Sequence, residues 1–95
     1  LETGSRYEGQ WKDNAREGYG TFYWPDGEYY IGSYENDMRS GEGTYFWPNG
    51  DKYKGQWKDD KRNGKGIFHS KEGSVISGIW ENDKLKDSGK KEKKQ

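Results

Sequence analysis

The side chains that could do chemistry are few, and they are poorly assembled for it. His69 is the only histidine and there is no cysteine, so neither a metal centre of recognisable spacing nor a thiol nucleophile can be built. His69 reads as an exposed strand residue. Gly18-Tyr19-Gly20 and its copies at Gly41-Glu42-Gly43 and Gly64-Lys65-Gly66 resemble a fragment of a phosphate-binding loop. The third glycine, the Lys-Ser/Thr pair and the following helix are missing, so these glycines read as structural. Asn36-Asp37 and Asp59-Asp60 offer oxygen ligands without EF-hand spacing or its terminal glutamate, and read as solvated turns. No Ser, His and Asp set has a supporting motif. The residues point away from catalysis, and neither a cofactor nor a metal is expected.

Two charged groups remain. Arg16, Arg39 and Arg62 recur every 23 residues. Each can stack on a Trp or Tyr ring or pair with an acidic loop neighbour, or the three can form a ladder that grips anionic lipid or an acidic peptide. Asp and Glu interleaved in the same loops weaken such a field, which favours the structural role. Lys84, Lys86, Lys90, Lys91, Lys93 and Lys94 stand against only Asp87 and Glu92, a local charge of +4 in a chain of net zero. The remainder is then mildly acidic and a poor surface for nucleic acid, so no nucleic-acid partner is expected. The basic stretch 84–95 reads as a disordered tail that could meet an anionic membrane surface.

The elements that must position these groups come from a repeat. Tyr7-Glu8-Gly9-Gln10-Trp11 returns as Tyr30-Ile31-Gly32-Ser33-Tyr34, as Tyr53-Lys54-Gly55-Gln56-Trp57 and as Ile76-Ser77-Gly78-Ile79-Trp80, always 23 residues on. Gly18, Gly41 and Gly64 keep the same register, as do Gly20, Gly43 and Gly66, and Gly4, Gly27, Gly50 and Gly73. A fixed period of this length marks units that only their neighbours can bury. Full units span 7–29, 30–52 and 53–75, with partial units at 1–6 and 76–89, giving an array over 1–83. Leu1 to Arg6 look like the end of a preceding unit.

Each unit alternates large apolar and polar residues, as a strand with one buried face does. A second run follows the glycine pair, led by Phe22, Tyr45 and Phe68 in turn, and Pro25-Asp26-Gly27 or Pro48-Asn49-Gly50 closes it with good turn chemistry. No helical period appears. The expected fold is all-β, an elongated antiparallel meander of stacked hairpins. Only 26% of residues are hydrophobic and 36% are charged, but aromatics supply 17%. Rings that bury roughly 150–250 Å² each can stand in for missing aliphatic residues. The glycine within Tyr-x-Gly-x-Trp is expected to let a ring from a neighbouring strand lie over bare backbone.

These residues resemble the MORN (membrane occupation and recognition nexus) repeat, whose units of similar length read Tyr-x-Gly-x-Trp, a polar loop, Gly-x-Gly, an aromatic strand and Pro-Asp-Gly. The chain departs from the family's frequent Asn-Gly loop, carrying Asp13-Asn14, Asn36-Asp37 and Asp59-Asp60. The resemblance implies a single-layer, groove-shaped sheet with no catalytic centre, used for binding and assembly. It implies a scaffold or protein-interaction module, in the cytoplasm and beside cytoskeleton, cilium or membrane. The alternatives are a peripheral membrane module binding anionic phospholipid through the tail lysines, and a regulatory appendage of an enzyme.

The partner is expected to be a peptide or helix in an aromatic groove; self-association is also compatible. If Phe22 and Tyr45 point into the groove, Tyr23 and Phe46 point away from it, with Tyr29 and Ile31 nearby and Trp24 and Trp47 at the groove's edge. These six are the candidate partner-binding residues. Tyr23 and Phe46 would present two rings one repeat apart.

Overall fold

The computed structural model describes residues 4–87. Eight strands succeed one another: β1 Arg6–Lys12, β2 Ala15–Tyr23, β3 Tyr29–Glu35, β4 Met38–Phe46, β5 Lys52–Lys58, β6 Lys61–His69, β7 Val75–Glu81 and β8 Lys84–Asp87. Each pairs antiparallel with its sequence neighbours, so strand order equals chain order in one open sheet of extents 49 × 24 × 16 Å. The elongated all-β meander expected from the period is the fold observed.

β8 corrects the boundary of the expected tail. Lys84–Asp87 pair with β7 through Glu81↔Lys84 and Trp80↔Leu85. Asn82-Asp83 supplies the same turn as the three earlier hairpins, and that turn starts the pairing. The tail from residue 88 onward lies outside the described residues, as do Leu1 to Thr3.

Two kinds of connection alternate. The polar pairs Asn36-Asp37 and Asp59-Asp60, read as solvated turns, are two-residue hairpin turns with both residues left-handed, at φ 52° and 71° and at 51° and 72°, and Asp13-Asn14 makes the same turn at 51° and 67°. Such turns match the twist of the flanking strands, and Asn and Asp are the non-glycine residues that bear positive φ most readily. Between hairpins, Trp24 donates its amide to Glu28 O at 2.9 Å and Gly27 donates to Trp24 O at 3.2 Å, with Gly27 at φ 100°.

The first glycine of each Gly-x-Gly sits in a bulge. Gly9↔Gly20 is followed by Trp11↔Arg16, so β2 spends four residues where β1 spends two, and Gly18 in the surplus has φ 80°. Tyr19 N donates to Gln10 Oε1 across it at 2.8 Å. An even surplus leaves side-chain parity intact, so Arg16 returns to the face of Trp11.

That face carries the core. Tyr7, Phe22, Tyr30, Tyr45, Tyr53, Phe68 and Ile76 form one cross-strand row, and Gly9, Gly20, Gly32, Gly43, Gly55, Gly66 and Gly78 form the next. The covering rings differ in origin from the expectation. Tyr53 lies over Gly55 of its own strand as well as Gly66 of the neighbour, and donates its hydroxyl to Gln56 O at 3.1 Å. Tyr30 does the same over Gly32 and Gly43. The ring folds back along its strand because the bulge two residues on exposes a carbonyl to anchor it. Tyr30 and Tyr53 are fully buried. Edge-on contacts of Tyr30 with Trp57 and of Tyr53 with Trp80, both at 5.3 Å, tie each unit to the next; such pairs are worth about 0.5–1.5 kcal/mol beyond area.

Candidate interaction surfaces

The arginine column is committed within the fold. Arg16 donates from Nε to Asp37 Oδ1 at 2.8 Å and from Nη2 to Asp37 O at 2.8 Å. Arg39 binds Asp60 and Arg62 binds Asp83 in the same way. Each arginine therefore clamps the hairpin turn of the following unit, while its guanidinium lies over rings: Arg39 is 4.7 Å from Trp57 and Arg62 is 4.8 Å from Trp80. The backbone amide of Arg16, and then its side chain, hold the Asp37 carboxyl below its ordinary pKa. The structural role preferred for these residues is the one they play. The partner is a turn aspartate 21 residues on, a spacing that follows only once that turn is seen to fold back on the preceding unit.

These clamps also close the core. Tyr34, Trp57 and Trp80 are buried, whereas Trp11, on the first strand, is 52% exposed. Burial pushes the hydroxyls of Tyr34 and Tyr53 up to about 12 and those of Tyr30 and Tyr45 higher still, so these phenols stay neutral and packed.

The six candidate partner-binding residues do not share one surface. Tyr23, Tyr29 and Phe46 form a cross-strand row on the face opposite the core. Tyr29 and Phe46 stack at 4.4 Å and 13°, Tyr23 and Tyr29 at 6.0 Å, and the Arg6 guanidinium lies 4.3 Å over Tyr23. Tyr23 and Phe46 are thus the ends of one stack through Tyr29, not two separate anchors. Ile31 lies on the same face one row along, paired with Thr21 and Thr44, and is 43% exposed. Trp24 and Trp47 pack on the core face, Trp24 against Phe22 at 4.6 Å and Tyr45 at 5.2 Å, and Trp47 against Tyr45 at 4.8 Å. Parity separates them: residues 23 and 24 leave the strand on opposite sides.

The outward face extends beyond what the sequence singled out. Ile31's row continues to Lys54 and Ile67, and Tyr19, Ile79 and Val75 are also exposed there. A period-two reading of β6 and β7, set in register with β3, would have found Ile67, Val75 and Ile79. His69 is half-buried rather than exposed, between Lys52 and Val75 in the Tyr23 row. Of the lysines proposed for lipid, Lys84 and Lys86 belong to β8, with Lys86 Nζ 3.2 Å from Glu81; Lys90, Lys91, Lys93 and Lys94 lie outside the described residues. Among the described residues, no group of three His, Cys, Asp or Glu side chains is placed to hold a metal, and no helix is long and apolar enough to cross a membrane.

A single-layer meander whose 23-residue hairpins stack through Tyr-on-glycine rows defines a β-hairpin repeat array. The MORN repeat model matches residues 7–29, 30–52 and 53–75, the same units that the period delimits. The chain belongs to the MORN repeat family. Comparison with curated protein sequences returns no match.

Proposed function

We propose that this chain is a non-catalytic protein-interaction module, a scaffold that presents the uncovered face of its sheet to a protein partner. One observation carries the reading. The aromatic core covers one face only, and the opposite face holds the Tyr23–Tyr29–Phe46 stack beside exposed Ile31, with further aliphatic residues along the array. The three rings are half-buried, stacked on one another, and Ile31 beside them is exposed; contiguous apolar surface on a face with no second layer marks partner contact more often than isolated apolar residues do. Aromatic anchors held rigid by stacking lose little entropy on binding and are typical hot spots. The family's use in assembly supports placement at cytoskeletal or membrane-adjacent structures.

The test is site-specific photo-crosslinking. A photoreactive residue at Ile31 is expected to yield a discrete protein adduct in extract. Tyr23→Ala with Phe46→Ala should abolish the adduct while strand circular dichroism persists. A residue placed instead at Trp24 reports on the core-side groove. Adducts from Trp24 alone would overturn the outward-face reading.

A further inference from the structure

Comparing successive units at matching positions exposes one difference with a chemical meaning. In the second unit the Tyr45 hydroxyl donates to the Glu28 carboxylate on the core face. One repeat earlier those positions hold Phe22 and Ser5, and neither can make that bond. Ser5 Oγ is buried there with no hydrogen-bond partner among the described residues. A cavity of about 380 Å³ opens at this point, lined by Ser5, Phe22, Trp24 and Tyr34 together with Arg16 and Arg39. Both arginines spend Nε and Nη2 on their turn aspartates, and Nη1 of each remains free of hydrogen bonds among the described residues. A guanidinium has five N–H donors, so the fork facing away from the aspartate can still bind a carboxylate.

We infer that the cavity between the first and second units receives a glutamate side chain from a protein partner, in the place that Glu28 fills one repeat later. The apolar walls suit the short aliphatic stem, and the unpartnered Ser5 Oγ with the free fork of a lining arginine suits a single carboxylate. Asp60 also lines the cavity, and both arginines are already charge-compensated. A singly charged carboxylate is therefore favoured over a phosphate, whose second charge would face Asp60. The cavity is on the face opposite the Tyr23–Phe46 stack, so this site and the proposed outward surface can fail independently.

The experiment follows the indole N–H of Trp24 by nitrogen-15 NMR in the full chain, with the resonance assigned by Trp24→Phe. The probes are a blocked Ala-Leu-Glu-Leu-Ala peptide, its Gln counterpart, inorganic phosphate, and phosphatidylcholine vesicles with and without phosphatidylserine. The Glu peptide is expected to shift the resonance saturably at millimolar concentration, with the Gln peptide bound about tenfold more weakly. The double variant Ser5→Glu with Phe22→Tyr copies the second unit's pair, fills the cavity from within, and should lose the response while keeping its melting temperature. Equal binding of the two peptides overturns the inference. So does undiminished binding by the folded double variant, a response to phosphate or anionic vesicles alone, or no response to the Glu peptide. If the double variant melts early, the Glu and Gln peptides compared on the unsubstituted chain still decide the matter.

Discussion

Gly55→Ala adds a single carbon to the centre of the array, and the geometry fixes what that carbon meets. A Cβ at residue 55 would stand 2.5 Å from Gly66 Cα, 2.6 Å from Lys65 O and 2.7 Å from the Tyr53 hydroxyl oxygen. Two of the three are backbone atoms of the paired strand, so no rotamer change relieves the collision. Overpacked cores whose side chains can adjust lose about 1–3 kcal/mol. Here the Gly55↔Gly66 pair must separate or the Tyr53 ring must leave its carbonyl anchor, which sets the cost at about 3 kcal/mol or more. For a domain of this size that is a fall in Tm of roughly 12 °C or more, at about 4–8 °C per kcal/mol. Gly73→Ala provides the contrast, because its Cβ would meet nothing within 4 Å and only the φ of 98° is strained. That strain costs about 1–2 kcal/mol. Thermal melts followed by circular dichroism compare the two. If Gly55→Ala melts within about 4 °C of the parent, or no lower than Gly73→Ala, the ring-over-glycine packing is not what holds the units together.

Three further outcomes follow from the same contacts. The Tyr34 and Tyr53 hydroxyls are raised from 10.0 to about 12, so the folded state favours the neutral phenol. Stability is then full below pH 10 and lost as pH climbs from 10 to 12, at about 1.4 kcal/mol per pH unit for each such tyrosine; the part of the tyrosinate absorbance that Tyr34→Phe and Tyr53→Phe remove should change together with circular dichroism, and its appearance near pH 10 with the sheet intact would refute it. Arg39→Lys keeps the charge but loses the fork that holds Asp60, and should cost about 1–2 kcal/mol in urea unfolding, with an unchanged midpoint counting against the clamp. Any binding to anionic vesicles should reside in Lys90, Lys91, Lys93 and Lys94 and fade with salt. If the four corresponding Gln substitutions leave vesicle sedimentation undiminished, the tail lysines are not the lipid contact.

What the sequence made legible, and what it hid, divides along the range of the interaction concerned. The period, the strands and the inward set Phe22, Tyr45, Tyr53 and Trp57 follow from alternation and recurrence, which are local properties. Asn36-Asp37 and Asp59-Asp60 read as turns from their polar residues, but their left-handed backbone does not, because positive φ without glycine leaves a weak signal. The destination of Asp37 stays hidden even with the turn in hand, since its bond to Arg16 exists only after the hairpin folds back on the preceding unit. Tyr23 and Trp24 are adjacent aromatics that alternation sends to opposite faces, and the stacking of Tyr23 on Tyr29 and the packing of Trp24 on Phe22 follow that parity.

The repeat itself explains why the candidate sites appear where they do. A perfectly regular array would satisfy the Tyr45–Glu28 pair, the arginine clamp and the tyrosine anchor in every unit, leaving no core-side group unspent. Departures from regularity are therefore the informative positions. The third unit also lacks the hydroxyl, with Phe68, but keeps a carboxylate at Asp51; only the first pair, Phe22 and Ser5, lacks both groups, and it borders the cavity. On the other face, Tyr29 occupies a row position held by Lys52 and Val75 in later units, which confines the aromatic stack to the first two hairpins. Both irregularities fall in the same half of the sheet, on opposite faces of β2, β3 and β4. A partner or partners gripping there would engage the strands that regular repetition leaves least alike.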